Sequence, residues 1–328
     1  MDNKPYRSLN AYYREIFGRK TAKISLDGGF TCPNRDGRCG TRGCLFCSAG
    51  GSGDFAENAT LSIAEQVEQG KAQTAKKWKD PAYIAYFQAF TNTYAPVEAL
   101  RRKYEEALAC DGVEGISIAT RSDCLPEDVL ELLSELNQKT KLWVELGLQT
   151  ADEDSAKRIR RGYPLSVFEK AVQDLAERKI PVVVHVILGL PGENRETILR
   201  TIDCVNRLPV QGIKLQLLHV LSDSDLAEIY EAGNYTPLTK EEYISLVGDC
   251  IAHLRKDIVI HRLTGDGDKN TLLAPLWSLQ KRDVLNSIHK YLKSSFERRR
   301  TAAIKDSCLC DSRCIRSALS QTRRKPVS

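Results

Sequence analysis

From about residue 80 onward, short runs rich in β-branched and aromatic residues alternate with helix-length segments whose apolar positions recur every three to four residues. The runs at 82–90, 115–120, 142–149, 182–190 and 213–220, with a weaker one at 22–27, predict six strands. Their interiors are apolar on both parities, as in strands covered on two faces by helices, so the alternation predicts parallel βαβ units. Helices are marked by start signals: Ser62 and Glu65 form a capping-box pair, and Pro126 suits a first helical position. Beyond about residue 225 the pattern turns helical around one short strand, DIVIHRL. The fold class expected is α/β, an incomplete (βα)6 barrel with a helical carboxyl-terminal extension. Its divisions are a leader at 1–21, a core at 22–225, the extension at 226–293 and a tail at 294–328. Sites in such folds gather at the carboxyl ends of the strands.

Composition narrows this little: at 42% hydrophobic and 28% charged, the chain has ample material for a core and no sign of global disorder. No apolar run approaches the roughly 20 residues that cross a bilayer, and the first residues lack a signal-peptide core. The expectation is a cytoplasmic protein without a membrane partner. In that compartment the eleven cysteines are thiols or metal ligands rather than disulfide partners. Charge is uneven: residues 297–328 hold nine Lys and Arg against three Asp and Glu, leaving the remainder near neutral within a total of +5. Such a tail is either a solvated end or an arm for phosphates.

The stretch TCPNRDGRCGTRGCLFCSAGG, directly after the first predicted strand, is dense in glycine and cysteine. Thiolates suit iron–sulfur clusters or zinc, and a glycine-rich loop lets backbone amides approach sulfur closely. Taken together, Cys32, Cys39, Cys44 and Cys47 would make a zinc site or a four-ligand cluster. Cys39, Cys44 and Cys47 alone match half of a plant-type ferredoxin pattern. Spacing leaves these alternatives tied.

The context, CPNRDG followed by GC-x-FC in a C-x11-C-x2-C frame, resembles the radical S-adenosylmethionine enzymes of the YtqA and YhcC type, relatives of the elongator catalytic subunit. The resemblance extends over about residues 5 to 293. It implies a 4Fe-4S cluster on Cys32, Cys44 and Cys47, with one iron left open to chelate S-adenosylmethionine, whose reductive cleavage yields a 5′-deoxyadenosyl radical. Cys39 is then an unassigned thiol. An electron donor such as a flavodoxin or ferredoxin is implied as a partner. So is tRNA as substrate, through conversion of 5-carboxymethylaminomethyluridine at the wobble position to 5-aminomethyluridine. Alternatives are a porphyrinogen-type small-molecule radical oxidase and a non-catalytic cluster- or zinc-binding RNA adaptor.

Further segments carry the same resemblance. FQAFTNTYAP implies that Gln88, Thr91, Asn92 and Thr93 line a turn that contacts the methionine amine, although Asn and Thr are common in any βα turn. ATRSDCLPED places Arg121 and Asp123 at the rim, with Cys124 a structural thiol. ELGLQT followed by RIRRGY puts Glu145 and Gln149 on one strand face. A buried carboxylate there needs a partner, such as ribose hydroxyls or the cofactor's amine. One of Arg158, Arg160 and Arg161 is expected to pair with the cofactor carboxylate. Tyr163 departs from the family's histidine. VHVILGLPGEN resembles the strand on which adenine packs, with Gly189, Gly192 and Glu193 at its turn. His219, His261, Arg262 and Asp266, at or beyond strand ends, are the candidates for catalysis and substrate contact. In the tail, Cys308, Cys310 and Cys314 form a C-x-C-x3-C group, read first as reduced thiols and second as an auxiliary metal site.

Overall fold

The computed structural model describes residues 4–51, 53 and 56–295. The tail cysteines and nearly all of the basic tail therefore lie outside the described residues. Helix α1 (Leu9–Phe17) leads into β1 (Thr21–Leu26), and five βα units follow. These are α2 (Ile63–Ala75) to β2 (Ala82–Phe87), α3 (Val97–Ala109) to β3 (Val113–Thr120), α4 (Glu127–Lys139) to β4 (Lys141–Gln149), α5 (Glu153–Arg158) and α6 (Leu165–Glu177) to β5 (Val182–Leu188), and α7 (Arg195–Arg207) to β6 (Gly212–Leu217). Beyond them lie β7 (Val220–Leu221), α8 (Asp225–Glu231), α9 (Lys240–His253), β8 (Val259–Arg262), β9 (Leu272–Ala274) and a helix over 281–295.

Strands β1 to β6 and then β8 form one parallel sheet of seven, curled into a half-barrel. The six expected strands are all present, and a seventh extends the sheet. DIVIHRL is no isolated strand of the extension; it docks parallel to β6 through Gly212↔Val259 and Ile213↔Ile260. A four-residue strand pairing with a segment some 45 positions earlier carries no local signal of its partner. The capping box of Ser62 and Glu65 is present at α2, whereas Pro126 is the N-cap of α4, one place before the first helical residue.

The outer face of the sheet packs against the helices in one large core of Leu, Ile and Val side chains. Val284, Ile288 and Leu292, one turn apart on the last helix, join it. Side chains of alternating parity face the concave interior, and they do so in levels that rise toward the carboxyl ends. The lowest level is apolar: Ile84, Trp143 and Val183 meet Tyr13 of α1, with Leu9, Tyr12, Ile16 and Phe17 around them. Tyr13 and Trp143 stack edge to face at 5.3 Å, sealing the lower mouth. Residues before α1 meet the carboxyl-terminal region nearby, where Ser8 bridges Ile260 and the Tyr6 hydroxyl lies 3.0 Å from His289 Nε2.

Candidate active site

One step above the apolar seal, the same strand parities present Lys23, Tyr86, Ser117, Glu145, His185 and Lys214. Glu145 is fully buried and its oxygens are saturated. Lys23 Nζ (2.6 Å) and Ser117 Oγ (2.7 Å) donate to Oε1. His185 Nε2 (2.6 Å) and the Lys214 ammonium donate to Oε2. Lys214 also donates to the Tyr86 hydroxyl at 3.0 Å. Burial raises the Glu145 carboxyl, but the two lysines and His185 outweigh it and hold it well below the usual range. Burial dominates the others, pushing His185 down to about 4 and Lys214 down to about 7. The layer thus contains a carboxylate with a complete set of protein donors, and the expectation that ribose or an amine would satisfy Glu145 is corrected.

Above this layer opens a cleft lined by Cys32, Cys44 and Cys47 on one side and Gln88, Ala119, Gly147, Gln149 and Gln216 on the other. The small Ala119 and Gly147 leave its centre open. The cysteine loop is built on backbone turns, Arg35 N to Cys32 O (2.8 Å) and Cys47 N to Cys44 O (3.2 Å), with Gly37 and Gly43 at positive φ. Asn34 ties it to the barrel, its amide donating to Cys44 Sγ (3.3 Å) and to the Arg160 carbonyl (2.6 Å). A hydrogen bond from Cys47, with help from the Arg121 charge and Asn34, overcomes burial and pulls the Cys44 thiol down; Cys47 is pushed up. Cys39 is exposed and lines a separate depression with Thr41, Arg42 and Arg160. The four cysteines therefore do not share one cavity, and three do.

The remaining candidates divide. Thr91 joins Gln88 in the cleft, but the Asn92 amide donates to the Ala119 carbonyl (2.8 Å) and Thr93 bonds Thr120 and Cys124 O (both 2.5 Å), bracing β2 against β3. Arg121 borders the cleft, forked onto Asp123 (2.9 and 2.8 Å) and lying over the Tyr163 ring at 5.1 Å. Of the three arginines after β4, Arg161 also borders the cleft, yet its guanidinium is engaged by Tyr163 O (2.9 Å) and Thr150 O (2.7 Å). Arg160 pairs with Asp225 at 2.6 Å and Arg158 with the Pro191 carbonyl, both outside the cleft lining. Gly189 and Gly192 adopt positive φ, 93° and 81°; a Cβ on Gly192 would meet Arg158 Nη1 at 2.2 Å. Glu193, pushed up to about 7 by burial, takes a hydrogen bond from Thr150 and also lies outside the lining.

Among the carboxyl-terminal candidates only Arg262 reaches the cleft. His261 faces the lower interior, 3.1 Å from Gln211 Oε1 and edge-on to Tyr13. His219 is buried beneath Gly265 and Gly267, and Asp266 pairs with Lys281 at 2.5 Å. The sequence reading missed Lys23, Tyr86, His185 and Lys214. A charged residue inside an otherwise apolar parallel strand, as in IKLQLL, is the signal that would have found them.

A parallel half-barrel with a loop of three thiols over the carboxyl ends of its strands is the scaffold of an enzyme that works at those ends. A model of the Radical SAM superfamily matches residues 36–205, and one of the Radical_SAM C-terminal domain matches 210–294. The chain belongs to this superfamily. It is 48% identical to the uncharacterized protein YtqA of Bacillus subtilis over 89% of this chain and 90% of that one. It is 24% identical to a tRNA uridine(34) acetyltransferase of Methanocaldococcus jannaschii over 54% of this chain and 32% of that protein. Among solved structures, Elp3 of Methanocaldococcus infernus superposes with a TM-score of 0.65 at 16% identity, over 84% of this chain and 63% of that one, which shows a shared fold. Among the described residues no helix is long and apolar enough to cross a membrane.

Proposed function

We propose that the chain binds a 4Fe-4S cluster through Cys32, Cys44 and Cys47 and uses it to cleave S-adenosylmethionine, acting on the wobble uridine of tRNA. The observation that carries the first part is that these three thiols line one cleft at the strand ends while Cys39 lies outside it. When bound, the cluster supplies the electron and S-adenosylmethionine the 5′-deoxyadenosyl radical. The protein's part is binding and exclusion. Three thiols would hold the cluster and leave one iron free for the methionine group, and the Cys47 hydrogen bond, helped by Arg121 and Asn34, favours the Cys44 thiolate that a metal requires. Gln88 and Thr91 would offer polar atoms to the methionine amine, and Arg121 at the rim, forked onto Asp123, would lend its charge to the carboxylate. Phe46, Phe90 and Tyr163 give the cleft aromatic walls that keep water from a reactive intermediate.

The substrate reading is supported by the name of the M. jannaschii relative and by the fold shared with Elp3. In that reading a hydrogen atom is taken from the glycine methylene of the carboxymethylaminomethyl side chain, the carbon radical gives one further electron to a one-electron acceptor such as an oxidised flavodoxin or ferredoxin, and water hydrolyses the resulting imine, releasing the two carbons as glyoxylate and leaving the amine. A flavodoxin or ferredoxin would deliver the electrons.

Anaerobic reconstitution with iron and sulfide, followed by dithionite and S-adenosylmethionine, should yield 5′-deoxyadenosine with the wild type and none with Cys44→Ala. An intact cluster without product would sink the radical reaction and favour a cluster-binding adaptor. For substrate, tRNA from cells lacking the gene should retain 5-carboxymethylaminomethyluridine; an unchanged nucleoside profile would remove the wobble-uridine assignment.

A further inference from the structure

The charges that line the cleft do not balance. Arg35, Arg121, Arg161, Lys214 and Arg262 face it, and Glu145 is the only carboxylate among the described lining residues. Arg121 and Arg161 have partners of their own in Asp123 and Glu153, and Arg35 donates to the Ser48 carbonyl at 2.5 Å. What remains is the floor, where Glu145 already holds Lys23 and Lys214.

Arg262 completes that floor and has no hydrogen bond or ion pair among the described residues. It is the register partner of Lys214 across β6 and β8, so two cations stand side by side on neighbouring strands. Like charges directly opposite one another destabilise a sheet. Half-burying a third cation beside a carboxylate that already serves two adds a cost that a bound anion would offset. Tyr86, Lys214 and Arg262 line both the cleft and a second cavity that runs past Lys23, His261 and Trp78 toward α1, so the cationic corner is reachable from the interior.

We propose that Lys214 and Arg262, with Lys23 behind them, form a carboxylate-binding site on the cleft floor that receives the acidic group of the substrate side chain. This deepens the wobble-uridine reading and rests on it: the carboxymethyl group of the side chain is the anion, and the floor holds it with the adjoining carbon facing the cleft's open centre. The site is charge-selective, since the aminomethyl product is a primary ammonium at neutral pH that the two cations repel, and release of product follows from loss of the anion. Lys214 faces Glu145, Lys23, Arg262, His185, His261 and Tyr86. An incoming carboxylate adds a second negative charge to that set and draws a proton onto Lys214, so binding is tighter at pH 6.5 than at pH 8.5.

The test is calorimetric titration of the full chain with N-acetylglycine, 5-carboxymethylaminomethyluridine and 5-aminomethyluridine, with S-adenosylmethionine titrated in parallel. The wild type is expected to prefer the carboxymethyl nucleoside by about tenfold or more, the range of a charge-assisted contact. Arg262→Gln should lose that preference and its response to N-acetylglycine, with a thermal midpoint equal to or above wild type because a like-charge pair is relieved. Arg262→Lys should keep most of the preference. Retention of the full preference by Arg262→Gln would overturn the site. So would a variant weakened toward S-adenosylmethionine alone, which would assign the cations to the methionine carboxylate. Wild-type binding of N-acetylglycine through Arg262 without discrimination between the nucleosides would instead discard wobble uridine and leave the carboxylate site standing.

Discussion

His219 shows what burial does to a single titratable group in this molecule. Burial pushes its imidazole down to about 4, Asp266 only partly opposing this, and Nε2 has no hydrogen-bond partner among the described residues. In the unfolded chain the same group titrates near 6.5. Between those values the unfolded state carries the proton and the folded state does not, so stability falls as pH drops from about 6.5 to 4. The contribution of one such group is on the order of 3 kcal/mol. His219→Gln should therefore flatten the dependence of urea midpoint on pH across that window; parallel profiles for variant and wild type would refute it. His185 adds to the same slope, whereas Lys214, down at about 7, makes stability rise with pH above neutrality. That Cys32, Cys44 and Cys47 belong together was suggested by the flanking residues that carry the family resemblance, spacing alone leaving the alternatives tied, and these three share the cleft. Which of Arg158, Arg160 and Arg161 would face the cleft was not legible. They lie in a turn where Arg160 has a φ of 60°, and no periodicity orders side chains there.

The elements are positioned by close approach as much as by hydrophobic pattern. On α2, Gly70 packs against β1, and a Cβ there would lie 2.3 Å from Ile24 Cγ2. Alanine is the better helix former by about 1 kcal/mol. Forcing a methyl into a packed site costs about 1–3 kcal/mol, and Ile24 is buried. Overpacking should win, so Gly70→Ala is expected to lower stability by up to about 2 kcal/mol in chemical denaturation. A stabilised variant would mean that α2 slides freely on β1. The strands of the core were readable because each is an apolar run between helical segments. β8 was read as a strand but not as part of the barrel, since its partner is far away in sequence. The charged layer escaped notice for a related reason: Lys23 alternates with Ala22 and Ile24 as any half-exposed strand residue does, and only closure of the half-barrel turns that parity inward.

At the scale of the whole molecule, charge is segregated. The cleft gathers cations, and the residues from 297 onward carry nine Lys and Arg. If tRNA is the substrate, those residues contribute counterion release. A chain ending at residue 296 should bind tRNA more weakly, with a shallower dependence of log affinity on log salt, in filter binding between 50 and 200 mM salt. An unchanged slope would show that the tail makes no phosphate contacts. Cleavage of S-adenosylmethionine without RNA should be the same in both forms.

The seal beneath the cleft also has a consequence in time. Tyr13 closes the interior against Ile84, Trp143 and Val183 and edge-on to His261, and the segment before it is fastened by Ile260 and His289, so residues 6–13 cannot complete their contacts until the chain has been made to about residue 289. A ribosome-bound chain holds its cysteine loop finished but its chamber open from below. Cluster loading during synthesis would expose iron and sulfide to bulk water and oxygen. If the chain carries the proposed cluster, the order of manufacture favours a protein that is released first, closes its chamber from below, and is loaded afterwards.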